Sequence, residues 1–433
     1  VDILFANDRA GEYPPSWYAY TAAPPGPYAR AEGALSCDVC IVGAGFTGLS
    51  AALHLAGRGY DVILLDAHRV GWGASGRNGG QVGTGQRLDQ EALEDMVGLD
   101  HARRLWELAQ EAVTLTKDLA AAHAPDAGYA PGIIHACHRA RLVPHARDYS
   151  AKMARGYGYD LIRPLDRDEI RHLVGSPAYY GGDIDMGGGH LHPLRYAFGL
   201  ARAAAAKGVR IFERSTVTGL TELAPATVTT ETATITAAHV ILACNGYLGR
   251  LQQRVTTCVM PINNFIVATE PMTPEVRETF IRGNHAVADS KFVINYFRFS
   301  HDHRLLFGGA ESYGYRFPKD IAALVRKPMT AIFPQLRDVK ITHAWGGTLG
   351  ITMNRMPHFE QLAGNVLSVS GYSGHGVAMA TLGGKLAAEA VAGQAERFDL
   401  MASVPTRPFP GGIALRWPLL VLAMVWFSIR DRL

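Results

Sequence analysis

Val39-Cys-Ile-Val-Gly-Ala-Gly-Phe-Thr-Gly48, continued by an alanine-rich stretch to Arg58 and then by Val62-Ile-Leu-Leu-Asp66, decides the fold. An apolar run, a glycine turn, a helix-spaced segment, Gly59 and a second apolar run read as strand, helix and parallel strand. In that setting G-x-G-x-x-G marks a dinucleotide-binding turn. Gly43 makes the tight turn, Gly45 lets backbone approach a pyrophosphate, and Gly48 lets helix and strand pack. Phe46 and Thr47 open the helix, whose free N–H groups face the anion. Asp66, with Ala67 beside it, ends the second strand where a carboxylate accepts a hydrogen bond from a ribose hydroxyl.

The rest of the chain bounds what surrounds this unit. Its 433 residues allow two or three domains at about 150 each, and 48% apolar composition gives each a core. Lys and Arg (42) against Asp and Glu (39) leave a net charge of +3 with no basic stripe, so no nucleic-acid partner is expected. Five cysteines form no disulfide framework. The Cys37-x-x-Cys40 pair lies on the first strand, where a redox or zinc pair would need a turn or helix start to expose both sulfurs. The N-terminal residues show no basic segment leading into an apolar one, so a cytoplasmic location is expected. An apolar segment of twelve residues at 418–429, between Arg416 and Arg430, is shorter than the roughly 17 to 25 of a spanning helix. It is expected to dock on the protein or a partner subunit, with peripheral membrane contact as the alternative. The chain is expected to be a monomer or homodimer.

Residues 1–35, with Pro14, Pro15, Pro24, Pro25 and Pro27, read as an extended arm that sustains no helix. A long amphipathic helix spans about 91–122 with a break near Gly98. Helices are expected near Tyr149 and from Asp166, and Pro193 opens another that ends before Gly208. Strands follow at 209–212, 216–220, 227–230, 234–236 and 240–243, then an antiparallel sheet with strands at 265–269, 292–299 and 304–307. Asp320 to Phe333 returns to helix. A strand at 366–369 and a helix at 376–391, ended by Gly393, complete the pattern.

The glycine turn alone does not separate FAD from NAD. No second G-x-G-x-x-G follows a later strand. Gly71-Trp-Gly-Ala-Ser-Gly-Arg-Asn-Gly-Gly-Gln81 supplies the small residues that let backbone lie against a flat ring. Gly371-Tyr-Ser-Gly-His-Gly376 can aim a helix N-terminus at negative charge developing on such a ring. Together these favour FAD.

These segments, with Ala243-Cys-Asn-Gly246, resemble the FAD contacts of the D-amino-acid oxidase and glycine oxidase superfamily. Within it the chain is similar to the gamma-glutamylputrescine oxidases, through Gly188-Gly-His-Leu-His-Pro193, Tyr296-Phe-Arg-Phe-Ser300, Arg304-Leu-Leu-Phe-Gly-Gly309, Asn354-Arg-Met-Pro357 and Phe409-Pro-Gly-Gly412. The resemblance implies an α/β fold: a Rossmann-like FAD-binding domain with an interleaved α+β substrate domain built on an antiparallel sheet. The implied division is 1–35 arm; 36–95, 190–250 and 341–400 FAD domain; 96–189 and 251–340 substrate domain; 401–433 tail. It implies non-covalent FAD held by Gly43, Gly45, Phe46, Thr47, Gly48, Asp66, Ala67, Gly73, Ala74, Ser75, Arg77, Asn78, Gly79, Gly80, Gln81, Val217, Ala243, Asn245, Gly246, Gly374, His375, Gly376 and Val377.

The implied reaction is FAD-dependent oxidation of a primary amine. Hydride passes from the α-carbon of gamma-glutamylputrescine to flavin N5, and the iminium hydrolyses to gamma-glutamyl-aminobutyraldehyde and ammonia. Molecular oxygen leaves as hydrogen peroxide. The cofactor carries the electronics, so the protein positions the C–H bond and keeps the cavity dry. His375, Gln81 and Tyr372 are expected at the catalytic edge. Tyr296, Trp345 and Tyr372 are expected as the aromatic passage and Arg298 as the partner of the substrate carboxylate. Several sarcosine-oxidising relatives carry a lysine that assists oxygen, where this chain has Arg304-Leu-Leu-Phe; Arg304 or His375 would take that task. Two alternatives remain at this stage: a membrane-associated dehydrogenase feeding quinone, and an FAD-bearing RNA-modification or scaffold protein. The close histidine pairs His135 and His138, His190 and His192, and His301 and His303 lack carboxylates or cysteines at ligand spacing. They read as surface or structural, and no metal is expected.

Overall fold

The computed structural model describes residues 2–312 and 314–412; the apolar segment at 418–429 lies outside the described residues. Among the described residues the strands form two sheets, of eight and nine strands. The first runs His358–Ala363, Val366–Ser370, Ala233–Leu242, Gly33–Val42, Val62–Leu65, Arg210–Phe212, and Val217–Thr221 with Ala226–Thr230 extends it. Its four inner pairings are parallel. Val62–Leu65 is wholly buried, because Val62 and Leu64 face the core shared with Phe46–Ala56 and Gly376–Val391 while Ile63 and Leu65 face the core shared with Ala226–Thr230. Phe46–Ala56 and Gly376–Val391 pack over it so closely that a Cβ on Gly384 would stand 2.2 Å from the Thr47 carbonyl oxygen.

The second sheet runs Ile341–Ile351, Met260–Thr269, Leu305–Ser312, Tyr296–Phe299, Ala286–Asp289, Ala130–Ala136, Gly182–His190, Gln81–Val82, with Ile162–Leu165 paired to Gly182–His190. It is antiparallel except where Ala286–Asp289 runs parallel to Ala130–Ala136, which corrects the purely antiparallel expectation. That one parallel pairing joins the two separated stretches of the substrate half.

Other differences have local causes. The arm is not helix-free: Trp17–Thr21 forms a short helix whose N-cap Ser16 accepts the Ala19 N–H, because the proline pairs flank this segment instead of interrupting it. Trp17 and Tyr18 are 1% and 0% exposed, so the segment belongs to the core and is no mere surface arm. The first strand already begins at Gly33, inside the expected 1–35 arm. The expected strands at 234–236 and 240–243 are one strand, Ala233–Leu242, since Ala237 and His239 pair with Cys37 and Val39 without a turn residue between. The expected strand at 292–299 shrinks to Tyr296–Phe299. The Asp289 carboxylate accepts from the backbone N–H groups of Lys291 and Asn295 and from the Asn295 side chain, and so holds a turn before it.

Two domain boundaries also move. Leu99–His123, assigned to the substrate half, buries Ala102, Leu105, Ala109 and Ala112 in the same core as Leu49 and Leu386 of the nucleotide half. Ile341–Ile351, assigned to the FAD stretch, is hydrogen-bonded to Met260–Thr269 in the second sheet. No helix of the described residues is long and apolar enough to cross a membrane.

Candidate active site

A cavity of about 1840 Å³ is lined by residues of both sheets. That exceeds the roughly 300–1,000 Å³ of a site for one small ligand and leaves room for a dinucleotide together with a substrate. At one end the first strand turns into its helix. Gly43 has φ +106°, and a Cβ there would stand 2.7 Å from the Ala243 carbonyl oxygen. A Cβ on Gly48 would lie 1.9 Å from the Gly43 oxygen, so this glycine serves helix–strand packing and does not reach the cavity wall. Gly45, Phe46 and Thr47 do line the wall, and Gly45 caps its helix with no side chain. The glycine turn and the start of the helix beyond Phe46 therefore fit a diphosphate.

Asp66 lies beside this turn. Its Oδ2 accepts the Ala44 N–H at 2.9 Å and its Oδ1 the His68 N–H at 2.8 Å. Burial pushes its carboxyl up to about 6, against the pull of those two bonds and with a contribution from the Glu213 carboxylate. Ala67, Val217, Ala243, Asn245 and Gly246 line the same end. Asn245 Oδ1 accepts the Gly371 N–H at 2.9 Å, which fastens the segment at 243–246 to the glycine turn at 371–376.

The loop at 73–81 crosses the middle of the cavity. Gly73, Ala74, Ser75, Arg77, Asn78, Gly79 and Gln81 line it; Gly80 does not. Ser75 Oγ accepts the Phe46 N–H at 2.9 Å. Asn78 Nδ2 donates to the carbonyls of Ala74 and Ser75, and its Oδ1 accepts the Gly80 N–H. The Arg77 guanidinium, over the Trp72 ring, donates to the Trp72 and Gly346 carbonyls and to Asp8. The side chains of Asn78 and Arg77 thus shape the loop itself. Gly80, with φ +74°, sits where a Cβ would be 2.1 Å from the Leu191 carbonyl oxygen. Gln81 Nε2 donates to the Val287 carbonyl at 2.9 Å.

Tyr372, Gly374, His375, Gly376 and Val377 line the cavity from the last turn and helix. The Tyr372 hydroxyl is bonded to Thr47 Oγ1 at 2.5 Å. His375 Nε2 donates to the Gly85 carbonyl at 2.9 Å, and Arg87 Nε donates to the Ser373 carbonyl at 3.1 Å, so the segment at 83–87 clasps this turn. Burial and the Arg87 charge push His375 down to about 4. The ring is neutral at physiological pH, with Nδ1 left as an acceptor.

Of the expected substrate residues, Tyr296 and Tyr372 line the cavity and Arg298 and Trp345 do not. The Tyr296 hydroxyl donates to Asn264 Oδ1, and its ring lies against Gly79 and Gly308. Arg298 is 4% exposed, and its guanidinium donates to the carbonyls of Gly79, Leu191 and Phe299 and to the Tyr18 hydroxyl. It braces the loop from behind and is not placed to meet a substrate carboxylate. Trp345 is a core residue whose indole N–H donates to the Arg77 carbonyl at 3.0 Å. Arg304, bonded to Asp302, Thr342 and the Thr269 carbonyl, is likewise off the wall.

Sequence reasoning missed an ionic wall. His135, Asp183, Asp185 and Thr84 line the cavity. His135 Nδ1 donates to Asp183 Oδ1 at 2.7 Å. Asp185 accepts from Thr84, from the Tyr159 hydroxyl at 2.6 Å and from the Gly187 N–H at 2.9 Å. Desolvation works against a charged His135, but the Asp183 carboxylate and its hydrogen bond, with Asp185 behind, raise it to about 9. The available signal was the alternation Asp183-Ile-Asp185, which puts both carboxylates on one face of a strand. His190 and His192 are structural, bonded to the Asn284 carbonyl and capping the helix at Pro193. Among the described residues no group of His, Cys, Asp and Glu is placed to hold a metal ion.

A family model described as FAD dependent oxidoreductase matches residues 38–390. The chain is 42% identical over 420 residues to a probable oxidoreductase OrdL of Rhizobium meliloti, covering 96% of this chain and 97% of that protein. It is 38% identical over 423 residues to the gamma-glutamylputrescine oxidoreductase of Escherichia coli, covering 98% and 99%. The solved glycine oxidase of Geobacillus kaustophilus shares the fold, with a TM-score of 0.73 at 21% identity over 86% of this chain and 99% of that one.

Proposed function

This chain belongs to the family of FAD-dependent oxidoreductases, and we propose that it oxidises the terminal primary amine of a γ-glutamylated diamine, γ-glutamylputrescine above all. The products are the aldehyde, ammonia and hydrogen peroxide: one amine, one oxygen molecule and one water are consumed. The observation that carries this reading is the 38% identity over almost the whole of both chains to a relative named for that substrate, joined to a cavity with room for more than the cofactor.

When bound, FAD supplies the two-electron acceptor for the hydride lost from the carbon beside the amine. The glycine turn at 43–48 and the helix start beyond Phe46 hold its diphosphate, Asp66 its ribose, and the segments at 73–81 and 371–377 its ring. Gly45, Gly73 and Gly79 keep backbone free of side chains along that path, and Tyr296 and Tyr372 give fixed aromatic walls. Ile266 and Tyr296 offer the reacting amine an apolar surface, which disfavours its ammonium form and leaves the lone pair available. His375, neutral and tied to Gly85, orients the turn and carries no positive charge to the site. Attachment is non-covalent. The two thiols on the wall, Cys137 and Cys244, are pushed up by burial to about 11 and about 12 and so stay protonated and unreactive.

The test is anaerobic mixing of the yellow protein with γ-glutamylputrescine, putrescine, N-methyl amino acids and D-amino acids, followed by peroxide measurement in air. Bleaching of the flavin band by γ-glutamylputrescine, with one peroxide per amine, is expected. Bleaching by amino acids alone overturns the substrate; bleaching without peroxide overturns oxygen as acceptor.

A further inference from the structure

We propose that His135, Asp183 and Asp185 form the site for the α-amino-acid head of the substrate: its ammonium lies on the Asp185 carboxylate and its carboxylate accepts the His135 Nε2–H. The identity of the molecule behind that head rests on the reading above; the head site itself rests on the following geometry.

His135 stands directly opposite Asp183 in the pairing of Ala130–Ala136 with Gly182–His190, and Asp185 stands opposite Ile133. Residues two apart on a strand share a face, so Asp185 is the diagonal neighbour of His135. The Asp183 carboxylate takes the Nδ1–H, leaving Nε2–H as the donor the imidazole can offer elsewhere. The side chain is half exposed at the place where it lines the cavity. Asp183 is spent on holding the imidazolium, as second partners of functional histidines commonly are. Asp185 keeps its orientation through Tyr159, Thr84 and the Gly187 N–H, and its two oxygens have lone pairs beyond those three bonds. One cationic donor and one anionic acceptor, held rigidly a short diagonal apart, match the carboxylate and ammonium borne on a single α-carbon. A diamine without that head would leave the Nε2–H of His135 unanswered.

The geometry also places the head site within reach of the reacting end. Thr84, which bonds Asp185, is the neighbour of Gly83, whose Cβ position lies 2.6 Å from the His375 ring. The ionic wall thus shares the cavity with the cofactor turn by way of the segment Gly83 and Thr84 that follows Gln81–Val82, and an elongated substrate can be held there while its far amine reaches the ring.

The test uses FAD-loaded protein whose flavin has first been reduced in the absence of oxygen, so that no amine-bearing ligand can be oxidised and binding is read apart from turnover. Calorimetry with γ-glutamylbutylamide, glutarylbutylamide (no ammonium) and 4-aminobutanoylbutylamide (no carboxylate) is expected to show each deletion weakening the wild type about 10- to 100-fold, the worth of a charge-assisted hydrogen bond. In Asp185→Asn the ammonium deletion should cost nothing further, and in His135→Gln the carboxylate deletion should cost nothing further. Should Asp185→Asn fail to fold, the wild-type series and the His135→Gln arm decide. Equal binding of the three ligands by the wild type, or variants that keep both wild-type penalties, overturns the assignment. If the binding pattern appears and γ-glutamylputrescine is not oxidised, the head site stands and the proposed reaction falls. If γ-glutamylputrescine is oxidised and the pattern is absent, the reverse holds.

Discussion

Two glycines of one motif should fail in different ways when given a methyl group. In Gly48→Ala the new Cβ would sit 1.9 Å from the Gly43 carbonyl oxygen and 3.3 Å from Ile41 Cγ2, where non-bonded atoms rest at about 3.5 Å. Gly43 cannot retreat, because its own Cβ position is 2.7 Å from the Ala243 carbonyl oxygen. Overpacking of a rigid core costs about 1–3 kcal/mol, and the gain of replacing a helical glycine by alanine returns at most about 1 kcal/mol. The protein should therefore lose about 1–2 kcal/mol of stability with or without FAD. In Gly45→Ala the obstacle is Ser75 Oγ at 2.7 Å, the end of a side chain that can rotate away. The cost without cofactor is the Ser75–Phe46 hydrogen bond, about 0.5–1.5 kcal/mol. The methyl then occupies the cavity wall, so FAD affinity should drop by more than tenfold. Gly364→Ala, with nothing within 4 Å of the new atom, is the control. Denaturant unfolding of flavin-free protein and flavin titration separate the two effects. Unaltered stability in Gly48→Ala, or unaltered FAD affinity in Gly45→Ala, would refute this assignment of tasks.

Burial pushes Asp66 up to about 6, and a ribose hydroxyl donating to its charged form, as proposed, would bring that value down in the complex. FAD affinity should be full above pH 6 and decline as pH falls through it, whereas Asp66→Asn should bind weakly with no such slope. His135 carries its charge below about 9, under the influence of Asp183 and Asp185. Glutarylbutylamide, which has no ammonium of its own to titrate, should bind more weakly as pH rises through 9 in the wild type but not in His135→Gln. Arg298→Ala strips charge-assisted bonds from the buried carbonyls of Leu191 and Phe299 and the part-buried carbonyl of Gly79, so thermal unfolding should show a loss of about 3 kcal/mol. The folded remainder should show reduced flavin content. Acid precipitation should release all flavin into the supernatant, since neither wall thiol is ionised.

What the sequence made legible follows from how local each cause is. The turn at 43–48, the helix start near Asp166 and the Pro193 to Gly208 helix are set by neighbours a few residues apart, and the structure has all three. The destiny of an arginine is not local. Arg298 sits beside aromatic residues in a strand and looks like a ligand clamp; what consumes it is the carbonyls of Gly79 and Leu191, brought there by two other chain segments. His135 fails in the opposite direction. Its partner is 48 residues away, and no spacing rule pairs a histidine with a carboxylate across an antiparallel ladder. The boundary errors share this origin. Leu99–His123 has the periodicity of any amphipathic helix, and periodicity names the buried face without naming the sheet that buries it.

Arg298 also explains why the nucleotide and substrate halves should act as one unit. The loop at 73–81, proposed to line the flavin, runs straight into Gln81–Val82, an edge strand of the second sheet, by way of Gly80 pressed on the Leu191 carbonyl. Arg298, on a central strand of that same sheet, grips both Gly79 and Leu191. Any displacement of the loop by the ring is therefore transmitted to Gly182–His190, the strand that carries Asp183 and Asp185. Cofactor binding should order the ionic wall as well as the nucleotide turn. Amide exchange at 182–190 should slow when FAD is added to wild-type protein and should slow less in Arg298→Ala. Equal protection in the two would mean that the halves are coupled by some route other than this guanidinium.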